Sequence, residues 1–521
     1  MTRPPLGFGP LFASILSGCL LSLAFPKPEL WPLIFVGLAP LVLVSRGKGL
    51  RFAFSCGYVT GLTHMAILIY WVVSTLTGYG HMSLIEAFLV FLLLIGYLAV
   101  YPAFFALGLA LAEQRLKLEA GRVGWALTGA ALYTGLEYFK GFFLTGFPWE
   151  PPGAALSPSL LLVQLADVVG TGGLTFIVVL VNLFLAAAVI RVKKLGFLGL
   201  IPPAAAAVVI IGLMAGYGHF RLSSVRELMI LSAQRKVAVI QGSIPQDIKW
   251  DAEHRISTML TYRDLTLKAA AEKPWLLVWP ETSAPFVFLR DKAATEWLDH
   301  LVRQAGRALL FGGPAFEEIG DQRHYYNRAY LLDDQAGIRG HYDKMHLVPF
   351  GEYVPLQKYL PFIKKLSAAG GDYHSGKNSR LLDLDGEKIG VLICFESVFP
   401  NLARDYVRRG AEYLAVITND AWFSRSSAPA QHFSQAVLRA VETRRTVIRA
   451  ANTGISGIIW PTGEVEVTLG LFKPGFVTGS ACQMKTMTLY SAAGDLLPLI
   501  SFGATLVVFA AGIIRRRNHV G

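Results

Sequence analysis

Two hydrophobic rhythms divide the chain. Long apolar runs fill it at about 9–25, 30–45, 53–73, 84–112, 123–140, 159–190 and 195–217, and an eighth lies at about 493–514. Runs of this length with few charges predict membrane-spanning helices, so a polytopic α-helical bundle of about eight spans is expected. The first two runs are short and flanked by Pro26, Pro28 and Pro32, so a tilted pair and a re-entrant hairpin both fit there. The first run also follows a short basic start, as in a signal sequence, but the spans behind it favour a retained helix.

Between about 220 and 490 the rhythm shortens. Six brief β-rich runs stand out: Lys236–Gln241, Leu276–Glu281, Ala308–Gly313, Ile389–Phe395, Tyr413–Asp420 and Thr446–Gly454. Polar stretches of helical character separate them, such as 251–272 and 428–445. This alternation predicts an α/β domain with its sheet covered on its faces. Three parts follow: a bundle at 1–219 with about seven spans, an α/β block at 220–490, and a last span with its tail at 491–521.

Composition agrees, since 53% hydrophobic residues and a mean hydropathy of +0.46 exceed what a soluble chain of 521 residues carries. The net charge of +12 would suggest nucleic acid were it not for where it sits. Arg3, Arg46, Lys48, Arg51, Arg115, Lys117, Arg122, Arg191, Lys193, Lys194 and Arg515 to Arg517 fall in alternate loops, whereas the intervening short loops hold only Lys27 and Lys140. The positive-inside rule therefore predicts cytoplasmic termini and an extracytoplasmic block at 220–490. With Glu113 and Glu119, those thirteen cations hold +11 of the +12, so no nucleic-acid partner is expected.

Four scattered cysteines, Cys19, Cys56, Cys394 and Cys482, make no disulfide framework, and no Cys/His cluster suggests a metal. No P-loop implies a nucleotide cofactor. Within the spans, Glu137, Gln164, Asp167 and Asn182 are costly in lipid and are expected to face the bundle interior.

Cys394 ends an aliphatic run and precedes Phe-Glu-Ser-Val-Phe-Pro, a pattern of a strand turning into a helix. A helix N-terminus there would lower the thiol pKa and hold an oxyanion, although a buried packing cysteine reads the same way. Glu281 ends another strand between prolines and could serve as a base or as a solvated turn residue. Lys344 lies in a Pro- and Gly-rich loop and is open to the same double reading.

Together, these three in this order resemble the nitrilase, or carbon–nitrogen hydrolase, superfamily, and set among membrane spans they resemble its membrane branch, the apolipoprotein N-acyltransferases. Gly-Phe-Pro-Trp at 146–149, Gln-Gly-Ser-Ile-Pro-Gln at 241–246 and the stretch from His346 to Pro355 extend the likeness. The resemblance implies an αββα sandwich on the periplasmic face of a bacterial inner membrane. It implies Cys394 as nucleophile, Glu281 as proton acceptor and Lys344 as oxyanion stabiliser, with Glu352 and Glu396 in support. For Glu396, first-turn helix electrostatics is an equal reading. Trp250, Phe395 and Trp149 become candidates for substrate contact, and residues 355–366, mixing bulky apolar groups with lysines, become a candidate lid.

The implied reaction is ping-pong transfer of a fatty acyl group from a membrane phospholipid, through a thioester, to the α-amino group of a diacylglyceryl-modified apolipoprotein cysteine. Neither cofactor nor metal is needed, and a monomer is expected. A membrane-anchored amidase using the same three residues is the nearest rival. A receptor or transporter without catalysis is the other.

Overall fold

The computed structural model describes residues 7–246, 249, 253–353 and 373–517. The chain forms two compact units: Met1–Val73, Leu84–Arg221 and Ala493–Gly521 make the first, and Ser74–Ser83 with Leu222–Ala492 make the second.

The first unit is helical. Leu84–Gln114, Ala166–Leu195, Phe197–Leu231 and Leu496–Ile514 are long and apolar enough to cross a membrane, the third of them running on past this unit's end at Arg221. Leu50–Leu68 and Trp71–Gly78 would add a fifth as one broken span bent by 54°. At least four candidate spans are thus present among the described residues. The expected run at 30–45 is a 3-10 turn, Trp31–Phe35, followed by the short helix Ala39–Ser45. The run at 159–190 is likewise interrupted, because Leu160–Val163 stops before Ala166–Leu195 begins.

Close helix approach here depends on small residues: a Cβ on Gly57 would lie 2.4 Å from the Pro102 carbonyl oxygen. The polar residues of the spans have partners within the bundle. Asn182 accepts the Leu38 N–H at 2.9 Å and donates to the Ile34 carbonyl at 2.8 Å, tying the interrupted segment to a long helix. Asp167 takes the Tyr217 hydroxyl at 2.7 Å and Arg221 at 2.6 Å, and Glu137 pairs with Lys140 at 2.7 Å.

Among the described residues, the second unit contains twelve strands in two six-stranded sheets. These are β1 (Gln234–Gln241), β2 (Leu276–Val278), β3 (Ala308–Ile319), β4 (Gln322–Leu332), β5 (Ile338–Asp343), β6 (Leu382–Leu384), β7 (Glu387–Ile393), β8 (Tyr413–Thr418), β9 (Thr446–Ala451), β10 (Ser456–Ile459), β11 (Val465–Leu469) and β12 (Gly475–Cys482). Their orders are β12-β1-β2-β3-β4-β5 and β11-β10-β9-β8-β7-β6. The central neighbours β1, β2 and β3 run parallel, as do β7, β8 and β9, while the outer pairs are antiparallel.

Side-chain alternation explains the layering. Val237 and Val239 of β1 face the second sheet, in one buried cluster with Val391 and Val416, while Ala238 and Ile240 face the opposite way. That other face is covered by helices Arg255–Ala270 and Lys292–Ala305, which supply Tyr262, Leu298 and Val302. Helices Pro400–Arg408 and Ala428–Thr443 cover the second sheet, placing Tyr406 and Ala440 against it. The result is an αββα sandwich, as the resemblance implies. The six expected strands are β1, β2, β3, β7, β8 and β9, and the expected helices appear at Arg255–Ala270 and Ala428–Thr443.

Candidate active site

Glu281 lies just beyond β2, in a turn where Thr282 adopts φ +47°. This turn sits directly on β3, since a Cβ on Gly312 would come within 2.8 Å of the Glu281 Cα. Lys344 follows β5, its N–H bonded to the Asn327 carbonyl of neighbouring β4 at 2.9 Å. Cys394 follows β7 with φ +55°. The three come from three strand ends but converge on one buried centre: Lys344 is 1% exposed, Glu281 5% and Cys394 9%.

Lys344 Nζ sits between two carboxylates, 3.0 Å from Glu352 Oε1 and 3.4 Å from Glu281 Oε1. Burial alone would discharge such an amine, but Glu352 and then Glu281 outweigh it and hold the pKa above the usual lysine range. Glu352 is fixed in turn by the Val348 N–H on its other oxygen at 2.8 Å.

The cysteine environment departs from expectation. Instead of opening an α-helix, Cys394 opens a five-residue 3-10 turn, Cys394–Val398, too short to gather a helix dipole. Burial and then the Glu281 charge push the thiol up to about 12, against the opposing pull of Lys344. The resting sulfur therefore keeps its proton, and any reaction at this sulfur would need a base.

Glu396 is fully buried and belongs to more than a first helical turn. Its Oε1 accepts from the Tyr342 hydroxyl and the Met345 N–H at 2.7 Å each, and from the His346 N–H at 3.0 Å. Oε2 takes the Ile393 N–H at 2.7 Å. One carboxylate thus joins the lysine loop to the cysteine turn. Phe395 packs edge-on against Phe399 at 5.1 Å and lies 5.8 Å from the His346 ring. Trp149 is 2% exposed within the first unit, against Trp71 at 5.3 Å and Phe147 at 6.1 Å. Trp250 and the 355–366 segment lie outside the described residues.

Asn327 and Lys249 of this centre carry no signal in the sequence. Asn327 Nδ2 bridges Glu281 Oε1 at 2.7 Å and Glu352 Oε1 at 3.0 Å. The Asn419 N–H holds Glu281 Oε2 at 2.8 Å. Lys249, 3% exposed, donates to the Thr282 hydroxyl at 2.6 Å and the Glu281 carbonyl at 3.2 Å. Burial brings its pKa down to about 8, against the opposing charges of Glu281 and Cys394. A mid-strand asparagine in a polar hairpin and a lysine in a loop look ordinary until the fold places them.

The arrangement offers a protonated thiol, a carboxylate with both oxygens held in place, and a buried cation. That set suits nucleophilic attack on a carbonyl with storage of the acyl group on sulfur.

Comparison with known proteins gives two family matches. Residues 236–490 match the carbon–nitrogen hydrolase family, and residues 17–184 match the apolipoprotein N-acyltransferase N-terminal domain. Apolipoprotein N-acyltransferase of Geobacter metallireducens is 40% identical over 513 residues, covering 97% of this chain and 96% of that protein. The protein of the same name from Azotobacter vinelandii is 34% identical over 521 residues, covering 99% and 97%. Among solved structures, an amidase from Nesterenkonia sp. overlays with a TM-score of 0.36 at 20% identity, over 48% of this chain and 91% of that one.

Proposed function

This chain belongs to the apolipoprotein N-acyltransferase family and is an N-acyltransferase of lipoprotein maturation, and we propose that Cys394, Glu281 and Lys344 carry its reaction. The single observation that supports this reading most is Lys344 Nζ, buried beside the Glu281 carboxylate at 3.4 Å, with its charge acting on the Cys394 thiol.

In the first half-reaction Glu281 takes the Cys394 proton as the sulfur attacks an ester carbonyl of a membrane phospholipid. Lys344 stabilises the oxyanion, and Glu281 returns the proton to the departing lysophospholipid, leaving a thioester. In the second half the α-amino group of the diacylglyceryl-cysteine attacks that thioester. Glu281 accepts the amine proton and passes it to the leaving Cys394 sulfur, so the amide forms and the enzyme is restored. The acyl donor already carries the free energy in its ester, and no cofactor enters.

Glu352 and Asn327 set the position of Lys344 and Glu281, and Glu396 sets the lysine loop against the nucleophile. Phe395, Trp149 and Trp250 are proposed to contact the acyl chains, and residues 355–366 to close over them and slow hydrolysis. The family and the four long apolar helices make this an inner-membrane protein. We place the bundle at 1–219 with about seven spans, the catalytic domain at 220–490 on the periplasmic face, and the last span with a cytoplasmic tail at 491–521, acting as a monomer.

The test is to incubate the purified protein with phospholipid and seek a hydroxylamine-labile fatty-acyl mass on Cys394. The adduct is expected in wild type and absent in Cys394→Ala. No adduct in wild type defeats the acyl-enzyme reading.

A further inference from the structure

Beneath the turn that carries Cys394 lies a charged cluster that the acyl-transfer steps leave unused. Asp420, His432 and Arg449 are each at most 1% exposed. They come from the turn after β8, the helix Ala428–Thr443 and β9. Asp420 Oδ2 accepts from Arg449 Nη2 at 2.9 Å, and Oδ1 accepts the Thr418 hydroxyl at 2.9 Å. His432 Nδ1 lies 2.9 Å from Asp420 Oδ1 and 3.1 Å from Arg449 Nη2, so one edge of the ring is fixed by an ion pair.

The other edge faces the nucleophile. His432 Nε2 is 2.9 Å from Ser397 Oγ and 3.1 Å from the Cys394 carbonyl oxygen, and Ser397 Oγ donates to that same oxygen at 3.0 Å. A hydroxyl has one proton, and Ser397 gives it to the carbonyl. Nδ1 faces a carboxylate oxygen and Nε2 a carbonyl oxygen, both acceptors, so this geometry asks for a proton on each ring nitrogen, Nδ1–H donating to Asp420 Oδ1 and Nε2–H pointing at Cys394 O. Two donors thus converge on one carbonyl. Cys394 has φ +55°, a backbone state that a side-chain-bearing residue keeps only where its surroundings impose it.

We propose that His432, fixed by the Asp420–Arg449 pair, is a positioning residue for the nucleophile: with Ser397 it clamps the Cys394 carbonyl and so holds the left-handed turn that sets the sulfur beside Glu281 and Lys344. This rests on the reading of Cys394 as the acylated residue. His432 reaches the backbone of Cys394 and acts through it. Loosening the clamp lets the sulfur drift from its attack position, which slows the chemical step and leaves phospholipid affinity intact.

The experiment follows single-turnover acylation of the full chain by phospholipid in wild type, His432→Ala, His432→Gln, Ser397→Ala and Cys394→Ala, with Tm measured for each. His432→Ala is expected to slow acylation about 100-fold while the half-saturating phospholipid concentration moves less than about threefold. His432→Gln restores an N–H toward the carbonyl and is expected to recover at least about tenfold of that loss without a higher Tm. Ser397→Ala removes one donor and little volume, so it slows acylation several-fold and decides the matter should His432→Ala not fold. Wild-type rates in His432→Ala or Ser397→Ala overturn the proposal, as does a His432→Gln no faster than His432→Ala. An adduct missing from wild type overturns the nucleophile reading instead, and this proposal with it.

Discussion

Glu396 Oε1 accepts the backbone N–H of Met345 at 2.7 Å, so a carboxylate two residues past Cys394 anchors the residue after Lys344. All four of its partners, Tyr342, Met345, His346 and Ile393, are donors. An amide cannot replace it, because one end of the amide would turn a donor toward donors. Glu396→Gln is expected to cost about 1–3 kcal/mol of stability, visible as a lower denaturation midpoint, and to reduce acylation by more than the unfolded fraction explains. An unchanged midpoint would remove the tie between loop and turn.

Asn327 supplies one amide to two carboxylates, Glu281 and Glu352. Asn327→Asp would place a third acceptor and a third negative charge there, competing for Lys344. The expected result is a fall in kcat of about 100-fold with the chain still folded. Steady-state kinetics beside a thermal melt decides it, and kcat within a factor of about two of wild type would count against the network.

The thiol of Cys394 is raised by burial first and by Glu281 second. Glu281→Gln removes the second cause. Thiolate is then expected to form at lower pH than in wild type, even as acylation is lost. The ultraviolet thiolate signal, taken as the difference from Cys394→Ala, follows this directly. A midpoint that moved upward in the variant would mean that Glu281 does not act on the sulfur.

Lys249 ties stability to pH with a definite sign. Its folded pKa of about 8 lies below the ordinary 10.5, so between those values the unfolded chain holds a proton that the folded chain lacks. Stability from this group therefore rises as pH climbs through that window and is flat below it. Lys249→Met has no such titration. The stability of wild type minus that of Lys249→Met is expected to grow from pH 8 toward 10.5, and a flat or falling difference from paired denaturant melts would contradict the burial of a charge here.

Much of the sandwich is legible in the sequence because its parallel strands are buried on both faces and read as short aliphatic runs, as in Leu276–Val278 and Tyr413–Thr418. The strands that escape notice are the antiparallel ones. Gln322–Leu332 opens with Gln, Arg and His and shows apolar character only toward its end, and Val465–Leu469 has no buried residue. Asn327 went unseen for the same reason, as a polar residue on a polar hairpin. Cys394 and Glu281 stand out because each closes a recognisable run, and Lys344 because it lies in a Pro- and Gly-rich loop. The left-handed turn at Cys394 does not, since nothing in Ile-Cys-Phe-Glu distinguishes it from the start of a helix, and only His432 from a distant helix reveals what holds it.

The pairing of β1 with β12 places Gln234 opposite Cys482, so the first sheet is completed by residues from the far end of the domain. During synthesis, β1 must wait with an open hydrogen-bonding edge until nearly the whole catalytic unit has left the ribosome. A chain broken off before Gly475 would present that edge to its neighbours. Such a chain carries Glu281, Lys344 and Cys394 yet leaves the β1 edge unpaired, so completing the last strand guards this protein against edge-to-edge aggregation.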